Sequence, residues 1–164
     1  MRMSLKLNSD TSAGFCPPQY DEELDDVRSV ISDVCEFIAD YRCGQFMVSG
    51  CGNESWPVDE RTDLAVLLEQ LPDAIDAVRS GCSSFVIDFY EQGLERTVIF
   101  NRVNSSYDVF CRNNSGSQLF VAPDSVTETN VLEMFLRLQN VFLEFVERVI
   151  PSLSNHPWLT DWKR

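Results

Sequence analysis

Lysine is nearly absent from this chain, with Lys6 and Lys163 the only two. Binding a polyanion requires cations that replace its counterions. The arginines that complete the 13 basic residues are scattered, and Arg61, Arg96 and Arg148 directly follow a glutamate. A nucleic acid is therefore not expected as a direct ligand, and neither is an anionic membrane surface. Histidine is scarcer still. His156 is the single imidazole, so any Cys/His zinc site and any Ser–His or Cys–His nucleophile would depend on it. It lies in "NHPWLTDW", where a proline and two tryptophans suggest a packed segment instead.

Other absences narrow the field further. Neither GxGxxG nor GxxxxGK[ST] occurs, so no phosphate-cradling loop is legible. The six cysteines, at 16, 35, 43, 51, 82 and 111, contain no CxxC pair. They read as free, mostly buried thiols, although Cys43 and Cys51 flank a predicted strand and a bridge between them is conceivable. The most apolar window, residues 131–150, is interrupted by Glu133, Arg137, Glu144, Glu147 and Arg148, and the first 14 residues carry no apolar signal core. These features predict a soluble, cytoplasmic protein with no metal and no cofactor.

What the chain has in excess is negative charge: 26 acidic residues, a net charge of -13 and a pI near 4.3. Such a surface steers a basic partner and discourages wrong ones; it also simply aids solubility. Hydrophobic residues at 44%, including 11 Phe, place the 164 residues among compact proteins with one core.

Periodicity supplies the elements. Residues 1–24, with Pro17-Pro18 and the acidic run at 21–23, read as an irregular arm preceding a single domain over 25–164. Val27, Val30, Ile31, Val34, Ile38 and Tyr41 form one helical stripe, predicting a helix over 25–42. A short strand at 45–50 follows, then a helix over 62–80 that Pro72 should kink or divide. Residues 84–90, 96–103 and 107–112 alternate as strands joined by short turns, hence antiparallel. A further strand is expected through 119–121. Asp124 or Thr127 should cap a long helix over 129–149, ended by Pro151. The predicted fold is α+β: a two-layer domain in which helices cover one face of a four- to five-stranded antiparallel sheet.

Two stretches stand out as candidate sites. In "CGNESWPVDERTDL" (51–64), Trp56 sits among Asp59, Glu60 and Asp63; in "YEQGLER" (90–96), Tyr90 and Glu91 lie at a hairpin turn. Tryptophan is the residue most suited to anchoring an interface, and ringed acids would suit a basic partner. Trp56, Trp158 and Trp162 can equally be local core plugs. A carboxylate pair drawn from Asp59, Glu60, Asp63, Asp88, Glu91 and Glu95 could run acid–base chemistry, but in so acidic a chain such neighbours arise by coincidence.

The stretches "FYEQGLERTVIF" (89–100), "WPVDERTDLAVLLEQLP" (56–72) and "HPWLTDW" (156–162) resemble the pattern of small acidic bacterial immunity proteins of contact-dependent and other polymorphic toxin systems. The resemblance covers roughly residues 46–162 and contains no catalytic signature. It implies a non-enzymatic protein that binds and neutralises one cognate toxin domain, often a basic nuclease. Trp56, Asp59, Glu60, Asp63, Tyr90 and Glu91 are the expected contacts. The rival expectations are an adaptor or structural subunit and, third, a small carboxylate-dependent enzyme.

Overall fold

The computed structural model describes residues 1–8, 14–90, 95–113 and 123–163. Its elements, in chain order, are β1 (Arg2–Leu7), α1 (Val27–Asp40), β2 (Gly44–Ser49), α2 (Asp63–Arg79), β3 (Ser84–Phe89), β4 (Arg96–Val103), β5 (Ser106–Asn113), β6 (Asp124–Thr127), α3 (Glu128–Val149), α4 (Pro151–Ser154) and α5 (Pro157–Trp162). The expected α+β architecture is present. β3 to β6 form a four-stranded antiparallel sheet in sequential order, β1 and β2 form a separate antiparallel pair, and the helices pack against them.

The main sheet follows from strict alternation. Ile87, Phe89, Val98, Phe100, Tyr107 and Val109 are fully buried on one face, which α2 and α3 cover with Leu67, Leu71, Phe135 and Phe142. Aromatic rings make up much of this layer, with Phe85 stacked on Phe100 at 4.6 Å and Phe135 edge-on to both. The outer edge of β3 is closed by a side chain. Gln70 of α2 donates to the Asp88 carbonyl at 2.9 Å and accepts from the Asp88 N–H at 2.9 Å, occupying main-chain groups that would otherwise invite another strand.

Of the two arrangements the sequence allowed at Pro72, the structure has the single helix: Asp63–Arg79 runs unbroken with the proline inside. A proline has no N–H, so the carbonyl one turn earlier loses its helical donor. That carbonyl belongs to Leu68, and it accepts from the indole Nε1 of Trp162 at 3.0 Å. The gap in the helix ladder is thus filled from α5, which places Trp162 in the core at 6% exposure.

The remaining sequence expectations fare differently. Within the expected irregular arm, Arg2–Leu7 is a strand pairing with β2, Leu5 opposite Phe46 and Met3 opposite Val48. Met3 and Leu5 are buried while Arg2 and Lys6 are exposed, a two-residue alternation that fits a short strand. Asp124, considered as a helix cap, begins β6 instead, whereas Thr127 does cap α3 by accepting from the Asn130 N–H at 3.2 Å. The expected strand at 119–121 lies outside the described residues. Finally, not all thiols are free: Cys51 bonds Cys111, joining the loop after β2 to β5, while Cys43, Cys35, Cys16 and Cys82 remain unbridged.

Candidate functional site

The loop between β2 and α2 is held by its own acids. Asp63 is 4% exposed and accepts from the Asp59 N–H at 2.9 Å. Asp59 in turn accepts from the Thr62 N–H at 2.7 Å and the Thr62 hydroxyl at 2.9 Å. Asp59 thus satisfies the N–H of the cap residue Thr62, whose own side chain makes no capping bond, while Asp63 ties the first residue of α2 back to the loop. Glu60 reaches back across the loop, its Oε1 accepting from the Phe46 N–H of β2 at 2.8 Å. Each of these three carboxylates therefore has a structural task.

Trp56 turns inward, 3% exposed. Its N–H donates to the Val48 carbonyl at 2.8 Å, and its indole Nε1 donates to the Gly50 carbonyl at 3.1 Å. The ring lies edge-on to Phe89, and the Arg96 guanidinium sits 4.6 Å from its centre, a cation–π stack in a partly desolvated place. Gly50, at φ +134°, lets the chain pass close to its neighbours: a Cβ there would meet Asp124 Oδ2 at 2.5 Å and Met1 Cα at 2.7 Å. Asp124 is the clasp of this corner, accepting from the Met1 amino group at 2.5 Å and the Cys51 N–H at 2.9 Å. Burial alone would raise its pKa, but those two hydrogen bonds and the ammonium charge outweigh it and hold the carboxyl below its ordinary range.

Around α1 the sequence-predicted acids join a larger surface. Arg61, next to Glu60, bridges Glu36 at 2.5 Å and also Asp40, so the loop is tied to the outer side of α1. Burial pushes the Cys35 thiol of α1 upward, and the carboxylates of Glu69 and Asp59 add to that rise, so both lie close to this helix. Tyr90 donates its hydroxyl to Glu69 Oε2 at 3.0 Å. Asp59, Glu60 and Tyr90 thus border one face shared by α1 and the first half of α2. Glu91 falls outside the described residues.

Other acids on this face were not singled out by sequence reasoning. Glu22, Glu23, Glu36 and Asp40 are exposed along α1 and the turn before it, and Asp26 pairs with Arg28 at 2.7 Å. Leu24, in the acidic turn, is 85% exposed, and Tyr41, just past the helix, is 54% exposed while its ring leans on Phe37 at 4.6 Å. The signal was available: Glu36 and Asp40 stand four residues apart on the side of the helix opposite the apolar stripe. Behind this face, Tyr20 donates to Asp33 at 2.9 Å and packs edge-on against His156 and Trp158.

Asp59, Asp63 and Asp88 of the carboxylate pool each have a local partner. Asp59 and Asp63 are engaged with the helix start, and Asp88 accepts from the Thr97 hydroxyl at 3.1 Å within the sheet. Among the described residues no group of three or more His, Cys, Asp or Glu side chains is placed to hold a metal ion, and no helix is long and apolar enough to cross a membrane. Comparison with protein-family models, curated proteins and solved structures returns no match to this chain.

Proposed function

We propose that this chain is a non-enzymatic immunity or inhibitor protein that binds and neutralises a basic toxin domain, with the α1–α2 face as its contact surface. The observation that carries the reading is the excess of exposed carboxylates on that face beside two exposed apolar side chains, Leu24 and Tyr41. Acids steer a basic partner into encounter, and exposed apolar groups, here at the two ends of α1, supply the buried contact that charge alone does not. Asp59, Glu60 and Tyr90 lie on the border of this surface. Trp56 contributes from beneath by fixing the loop that carries Asp59 and Glu60, as does Asp63.

The reading includes action in the cytoplasm of the cell that makes both proteins. The Cys51–Cys111 bond is the feature that weighs against a reducing compartment, and the burial of both residues is what would shield it from thiol exchange. The test is whether the adjacent reading frame encodes a toxin domain, followed by co-expression of the two. A 1:1 complex that restores growth supports the reading. Unabated toxicity, with no complex recovered, contradicts it.

A further inference from the structure

The sheet has a second face that no described helix covers. The strand register arranges it in rows. Val86, Ile99 and Phe110 stand side by side across β3, β4 and β5, and the next row is Asp88, Thr97 and Arg112. Val86 is 48% exposed and Phe110 39% exposed. An apolar row of this kind in the middle of an open sheet is unusual for a chain with so polar a surface, and marks a place where another surface packs.

We infer that this face is the contact between two copies of the chain. The pattern is self-complementary. When two such sheets stack face to face about a two-fold axis running along β4, each β3 lies over the partner's β5 at the same level. Val86 then meets Phe110 of the partner subunit, and Ile99 meets its own copy. In the polar row Asp88 meets Arg112 of the partner subunit, twice over, with the two Thr97 side chains between them. Arg112 is exposed and has no described partner within its own chain, so it is available for this pairing. The cation opposite each carboxylate lets two strongly acidic chains approach here when their other surfaces repel. This contact is separate from the α1–α2 face: α1 packs on α2, and α2 on the covered side and edge of β3.

Sedimentation equilibrium of the full chain, at concentrations spanning the micromolar range, tests the inference. The unaltered chain is expected to self-associate as a dimer. Phe110→Glu should abolish the dimer, and Asp88→Arg or Arg112→Asp alone should weaken it by about tenfold or more, because each sets like charges opposite one another. The double variant Asp88→Arg/Arg112→Asp restores opposite charges and should recover the dimer, which also shows that these positions tolerate exchange without loss of fold. A chain that stays monomeric throughout, or a dimer indifferent to all four variants, overturns the proposal.

Discussion

Asp124 shows how much one side chain can hold together. A single carboxylate oxygen joins the Met1 amine of β1, the Cys51 N–H beside the disulfide, and the start of β6. Because the fold holds this carboxyl below its ordinary value, the ionised form is the one the fold favours. Its stabilisation is complete above the ordinary carboxylate range and disappears as pH falls through the lowered value. Asp124→Asn should therefore unfold at lower urea than the unaltered chain at neutral pH, and the two midpoints should converge as pH falls from neutral through the lowered value. A gap that stays constant over that range would show that charge is not what Asp124 contributes. None of this was legible in the sequence, where Asp124 looks like a helix cap. Its partners are 123 and 73 residues away, and no local pattern encodes them. Trp56 is similar: its position in a polar loop suggested an anchor as readily as a core plug, and only the approach of Phe89 and Arg96 from the next sheet decides that it is buried.

Elements were more readily read than their partners. The helices over α1, α2 and α3 and the β3–β5 meander announce themselves by period, because each buries one face and the apolar spacing must follow. β1 was overlooked because six residues of alternation are short and the segment after them has none. The continuity of α2, one of the two readings its sequence allowed, depends on a distant residue. Pro72 does break the ladder, but Trp162 of α5 satisfies the carbonyl it strands, a compensation arriving from 94 residues away. Trp162→Phe should cost about 1–3 kcal/mol through that unpaired carbonyl, beyond any change in packing. Restoring the missing N–H with Pro72→Ala should reduce the penalty, so that chemical denaturation of the two single variants and the double variant gives a clear coupling energy. Strict additivity would mean that the indole contributes packing only.

At the scale of the whole molecule, two features set the behaviour. The Cys51–Cys111 bond closes a separation of 60 residues and ties the loop after β2 to the main sheet. Closing a loop of that length restricts the unfolded chain enough to stabilise the fold by about 4 kcal/mol in the chain-entropy description. Replacing both cysteines with serine, or reducing the bond, should lower the urea midpoint accordingly; an unchanged midpoint would show that the bond is not formed in solution. The second feature is the charge of -13, which composition shows plainly but does not localise. It took the packing of α1 on α2 and the reach of Arg61 to draw Asp59 and Glu60 into one surface with Glu36 and Asp40.

That surface is where the functional account stands or falls. The most direct measurement is the association rate of this chain with the basic toxin domain proposed as its partner, taken at low and high salt for the unaltered chain and for Glu36→Lys/Asp40→Lys. The account predicts fast association that slows as salt rises and screens the acids, a charge-reversed variant that associates at least about tenfold more slowly at low salt, and little difference between the two at high salt. Tight binding with the same rate and the same salt dependence in both chains would contradict it.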